Sequence, residues 1–171
     1  MLGFALLYVG AVLFLNGLWL LGKIEDREIA VINLLVGLIT FIIVLRLAFF
    51  SADADPATVK AGALTLLFSF TYLWVAFNRY SGADGRGLGW FSLFVAITAV
   101  PVAIETLTGA STLWGYWFGL CWVAWAILWY LFFLLLARGK DIARTTGMVT
   151  VAEGVLTGWL PGYLLLSEMI S

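Results

Sequence analysis

Hydrophobic and polar positions fall in long blocks along this chain. Six apolar runs, each long enough for a membrane-spanning helix, alternate with short polar turns. The runs predict helices over about residues 2–21, 29–50, 61–77, 88–104, 113–137 and 147–166. The first run begins at once, with no charged leader and no small-residue cleavage pattern, so it reads as a retained helix. Between the runs lie GKIEDRE, SADADP, NRYSGADGRG, ETLTGAST and RGKDIAR. The Asp55-Pro56 step forbids a continuous helix through the second of these. The expected architecture is a single all-α membrane domain over 1–171, with no separate soluble catalytic or DNA-binding part.

Composition places these helices in a bilayer. Hydrophobic residues make up 64% of the chain and charged residues 11%, against about 25% charged in a soluble domain. A net charge of −1 gives no nucleic-acid footprint. One cysteine and no histidine leave too few ligands for a zinc or haem site. No metal or cofactor is expected, and no nucleophile–base arrangement suggests an enzyme.

Positive charge sets the expected orientation. The turns after runs one, three and five hold Lys23, Arg27, Arg79, Arg86, Arg138, Lys140 and Arg144, while the other two hold only Arg46 and Lys60. Seven against two puts the odd-numbered turns in the cytoplasm and both termini outside. The helices are then expected to pair as three consecutive hairpins, first with second, third with fourth, fifth with sixth. Asn16 and Asn78 close the first helices of the first two hairpins, a weak sign of a repeat.

The chemistry sits on particular helix faces. Residues 114–133 contain five of the nine tryptophans and no charge. At about 100° per residue, Phe118, Trp122, Trp125, Trp129 and Phe132 share an arc of roughly 80°. Trp114 and Trp117 read as interface anchors. The central tryptophans either pack or wall a narrow path for a small flat solute. Leu6, Val9, Leu13 and Asn16 form a second stripe, and Phe70, Trp74 and Phe77 a third. Glu153 is a carboxylate inside the sixth run, where charge is costly. Counted along their helices, Asn16, Trp74, Trp129 and Glu153 reach a similar depth in a hydrocarbon core about 30 Å thick. An Asn–Glu hydrogen bond joining two helices is the structural alternative. Glu105 lies near a helix end and reads as interfacial.

Several blocks also carry a resemblance: MLGFALLYVGAVLFLNG at the start, LLFSFTYLWVAFN at 66–78, WFSLFVAITAVPVAI at 90–104, WVAWAILW at 122–129 and EGVLTGWLPGYLL at 153–165. In this order they resemble the bacterial urea and short-chain amide channel family, whose gastric member opens in acid. The resemblance implies a six-helix protomer of three hairpins around its own pore, six protomers in a ring, in the inner membrane. It matches Leu6, Val9, Leu13, Asn16, Phe70, Trp74, Trp122, Trp125, Leu128, Trp129 and Glu153 to the family's solute pathway. At Trp74 the gastric channel has a tyrosine. It also implies a functional link to a cytoplasmic urease or amidase. The long outer loop after the second helix is almost absent here, and the histidines that help the gastric channel sense protons have no counterpart.

The expected function is passive, facilitated diffusion of urea or short-chain amides, without acid gating. Two rivals stay open: a proton-coupled small-amide transporter using Glu153, and a membrane assembly subunit that transports nothing.

Overall fold

In the computed structural model, residues 1–49 and 55–170 are described. The loop acid Asp53 and the end of the second run at Phe50 fall outside them. The described residues form six helices: α1 Leu2–Leu20, α2 Ile29–Phe49, α3 Pro56–Ser81, α4 Arg86–Thr108, α5 Leu113–Ala137 and α6 Ala143–Leu166. All six are long and apolar enough to cross a membrane. α5 closes in a π-helical stretch over Phe133–Ala137, and α6 contains another over Gly154–Trp159.

The helices outrun several of the apolar runs that predict them. α3 starts at Pro56 rather than near residue 61, and α4 reaches Thr108 rather than residue 104. The cause is local. Proline has its φ preset for a first turn, and the Asp55 carboxylate caps that turn by accepting the Thr58 amide at 2.7 Å. α3 ends at Gly82, whose φ of 73° suits the left-handed cap. The added end turns carry polar residues such as Lys60 and Glu105, so a count of apolar positions does not report them as helix.

The chain divides into two compact units, 1–25 with 84–171 and 26–83. In the smaller unit α2 packs along α3. Gly37 lets the Leu73 side chain against its backbone, and a buried Ser69 hydroxyl donates to Thr40 Oγ1 at 2.7 Å. Thr40 in turn donates to the Val36 carbonyl. Such a hydrogen bond joins helices where water cannot compete. Val36, Val44, Phe68 and Tyr72 complete the interior of this pair.

In the larger unit α4 packs along α5, with Gly89 against Ala137 and Gly119 against Leu107. α1 packs along the whole of α6. Within the units the close partners are α2 with α3, α4 with α5, and α1 with α6; α5 touches α6 over a smaller area.

Glycine placement explains the choice. Gly3, Gly10 and Gly17 recur every seventh residue on α1, and Gly147, Gly154, Gly158 and Gly162 mark one face of α6. These faces meet antiparallel. A Cβ on Gly17 would stand 2.7 Å from the Gly147 carbonyl oxygen, and one on Gly154 2.6 Å from the Phe14 nitrogen. At the centre, Gly10 and Gly158 bring the two backbones into direct contact. In lipid, where apolar surface gains little by moving from tail to helix, close backbone approach is a main source of helix association. Replacing Gly10 or Gly158 by valine is expected to force the helices apart and cost about 2 kcal/mol or more. Thermal unfolding of the detergent-solubilised protein, followed by size-exclusion recovery, reads this directly. An unchanged midpoint in both variants would contradict the packing.

Candidate functional site: a buried aromatic and polar cluster in the larger unit

Nine of the eleven residues singled out from sequence lie buried in the larger unit. Leu6, Val9, Leu13 and Asn16 form one inward stripe of α1, each at most 6% exposed. Trp122, Trp125, Leu128 and Trp129 form the inward face of α5. Glu153 is buried on α6. Phe70 and Trp74 belong to the smaller unit and lie on its exposed face, at 42% and 38%, with Phe77 beside them. Neighbours Phe68, Tyr72 and Val75 take the buried face of α3. Even so, Phe70 meets Phe41 of α2, with ring centroids 6.2 Å apart.

The α5 wall is continuous. Trp114 stacks on Phe118 at 5.5 Å, and Phe118 meets both Trp122 and Trp125 edge-on. Trp122 and Trp125 are themselves perpendicular, 5.1 Å apart. Edge-to-face contacts fix each ring against the next. Two perpendicular indoles also present both a face and an edge to whatever lies beside them.

α6 supplies the polar side. Thr146, Thr150, Glu153 and Thr157 recur at i, i+4, i+7 and i+11, and all four are buried. The sequence reading singled out Glu153 alone. The helical spacing of the threonines was the signal that could have found the rest. Thr150 donates to the Thr146 carbonyl at 2.6 Å and Thr157 to the Glu153 carbonyl at 2.7 Å. Glu153 Oε2 has no hydrogen-bond partner among the described residues. A buried carboxylate oxygen of this kind is an acceptor waiting for a donor.

The glycine contacts also fix levels. Gly17 opposite Val151 and Gly154 opposite Phe14 place Asn16 near the level of Ala152, and Glu153 near Leu15. Asn16 and Glu153 then stand at nearly the same level, about one residue's rise apart along the axis.

The π stretch of α6 shapes this region. The Leu160 amide bonds to the Val155 carbonyl, five residues back. The Leu156 carbonyl would next need the nitrogen of residue 161, which is proline and carries no hydrogen. Neither helical pattern supplies it with a donor. The indole of Trp117 fills the gap from α5, its N–H donating to the Leu156 carbonyl at 3.1 Å. About two turns further into α5, the Trp125 indole N–H donates to Thr157 Oγ1 at 2.8 Å. Single-turn π bulges recur at functional sites because they widen a helix and redirect side chains.

Known proteins resemble this chain along most of its length. The model of the AmiS/UreI family transporters matches residues 1–169. A putative amidate substrates transporter protein of Mycolicibacterium smegmatis is 42% identical over 96% of this chain and 76% of its own length. The acid-activated urea channel of Helicobacter pylori is 35% identical over 96% of this chain and 97% of its own. The cryo-electron microscopy structure of the H. pylori urea channel in its closed state superposes with a TM-score of 0.90 at 35% identity, covering all of both chains. The crystal structure of that channel gives 0.89 at the same identity and coverage. A family of transporters and channels, matched along the chain by six apolar helices, makes this a multi-pass membrane protein rather than an enzyme. The chain belongs to the AmiS/UreI family.

Proposed function

We propose that the chain forms a passive path for urea or short-chain aliphatic amides. The observation that carries this reading is the pairing of a flat indole wall on α5 with a buried polar stripe on α6 in one unit. Urea and acetamide are flat, uncharged and rich in donors and acceptors. Indole faces suit their flat sides, while Glu153 and the threonines replace part of the lost hydration. A hydrated ion cannot shed its shell against such a wall. Weak, spaced polar contacts let the solute leave again. The pathway residues in the larger unit are Leu6, Val9, Leu13, Asn16, Trp122, Trp125, Leu128, Trp129 and Glu153; the family resemblance adds Phe70 and Trp74 to the pathway.

The protein sits in the bacterial inner membrane with both termini outside, as the positive turns favour. One domain serves one path. Six copies assemble in a ring, with lipid around it, and a cytoplasmic urease or amidase maintains the inward gradient. Proton-coupled transport through Glu153 is the rival, favoured by the unpartnered Oε2. Proteoliposome uptake separates the two. Urea or acetamide enters down its gradient in the passive reading, and an imposed proton gradient concentrates neither. Accumulation above the outside level would establish coupling instead.

The wall makes a second expectation specific. Trp125→Ala or Trp129→Ala removes a large buried ring from the path, so flux or the urea-to-acetamide preference shifts several-fold. Native mass spectrometry on the same samples is expected to show the six-membered assembly intact. Wild-type flux and preference in both variants would reduce these rings to packing.

Gating follows from the titratable groups near the helix ends. The Thr58 amide and hydroxyl hold the Asp55 carboxyl below the usual range, and Arg86 does the same for Asp84. A depressed carboxylate stays charged until the pH falls through its lowered pKa, below about 4. Neither group changes charge between pH 5 and 8, and the sequence has no histidine. Stopped-flow uptake is expected to stay nearly flat across that window. A several-fold rise on acidification would overturn this, and its loss in Glu153→Gln would locate the sensor in the path.

A further inference from the structure

Thr157 touches two elements of the proposed path without belonging to the aromatic wall or carrying charge. A threonine hydroxyl has one hydrogen to give and two lone pairs to offer. Here the hydrogen goes to the Glu153 carbonyl at 2.7 Å. The oxygen can therefore meet the Trp125 indole only as an acceptor, and the indole N–H supplies the donor at 2.8 Å. Both side chains are buried, Thr157 at 6% and Trp125 at 3% exposed. Each bond is short and neither competes with water.

The π turn makes this geometry possible. Thr157 sits inside the widened stretch, between Gly154 and Trp159. Its anchor is the carbonyl of Glu153, the residue that bears the buried carboxylate. Thr157 is thus bonded at once to the backbone of the polar stripe and to the tip of the aromatic wall. Trp117 ties the preceding residue of the same turn to α5 through the Leu156 carbonyl. Two indoles from one helix hold two successive residues of one irregular turn.

We propose that Thr157 is a positioning residue that sets the orientation of the Trp125 indole, and through it the width and solute preference of the path. The inference rests on the reading that Trp125 lines that path. With its N–H held by Thr157, the ring is fixed and presents carbon surface to a passing solute. Without the hydroxyl, the N–H loses this acceptor, the ring gains freedom to turn, and the indole donor becomes available to solute carbonyls.

Valine is the informative replacement, since it keeps the shape of threonine and removes only the hydroxyl. Serine keeps the hydroxyl and removes only the methyl. Urea and propionamide uptake into proteoliposomes is measured for wild type, Thr157→Val and Thr157→Ser, with ultraviolet resonance Raman reading the hydrogen-bonding state of tryptophan N–H groups. In Thr157→Val the urea-to-propionamide ratio is expected to fall by about threefold or more, the scale of one lost hydrogen bond, with a Raman shift to weaker bonding. Thr157→Ser is expected to restore both. A loosened indole by Raman with an unchanged flux ratio would overturn the role of Trp125 orientation. An unchanged Raman signal in Thr157→Val would overturn the hydrogen bond itself. Failure of the reading beneath it looks different: there Trp125→Ala also leaves flux and preference as in wild type. Equal loss of both solutes in the valine and serine variants would mark Thr157 as structural only, and overturn the proposal.

Discussion

The contact on which the larger unit depends is the meeting of α1 and α6 at Gly10 and Gly158, backbone against backbone. Apolar side chains alone would not choose a partner in lipid, because tails and leucines are equally good neighbours. What distinguishes α1 from α6 to each other is the absence of side chains along one face. Glycines at both ends and the middle of that face fix the antiparallel register. Once the register is fixed, the levels of Asn16 and Glu153 are fixed too, and the inward stripe of α1 must look toward the same interior as the threonines of α6. The packing of the pair thus decides where its polar groups can be.

A second constraint comes from proline. Pro161 deprives an upstream carbonyl of its donor, and an orphan carbonyl away from water costs several kcal/mol. Soluble helices would let water in. Here the turn opens to a π pattern, and tryptophans on α5 approach it: Trp117 at Leu156 and Trp125 at Thr157. The same two bonds explain why tryptophan rather than phenylalanine stands at these positions, because phenylalanine has no N–H to give. The aromatic wall therefore has a polar edge as well as a flat face. Its rings are held both by edge-to-face contacts within α5 and by hydrogen bonds across to α6.

Much of this was legible before the structure. Apolar run length gave six helices, and the 3.6-residue period placed Leu6, Val9, Leu13, Trp122, Trp125 and Trp129 on faces that prove buried. Phe70 and Trp74 share a face as the period requires, but an exposed one within their unit. The closest packing partners within each unit are not legible from turn length, because glycine faces decide contact and a glycine has no hydropathic signature. Helix ends were placed too far inward because polar end turns look like loops to any count of apolar residues. The π turn was not read, although Pro161 was in plain view. Its consequence depends on which donor another helix brings. The threonine stripe was passed over because threonine is nearly neutral in hydropathy, and only burial reveals it as a polar line.

Selectivity in the proposed path then reduces to a balance between two faces with different tolerances. A wall of locked indoles tests thickness and flatness, and it rejects by steric contact, which is steep. A stripe of hydroxyls with one carboxylate tests for donors, and it discriminates by hydrogen bonds, which are graded at about 1 kcal/mol each. A solute that is flat but poor in donors meets the wall easily and gains little from the stripe. A solute rich in donors but thick never reaches it. Urea and small primary amides satisfy both tests, and among them the difference is a methyl or two. Such small differences are felt through ring positions rather than through the number of polar contacts. The orientation of the indoles is therefore where members of one family can separate urea from its larger amide relatives while keeping the same fold and the same polar stripe.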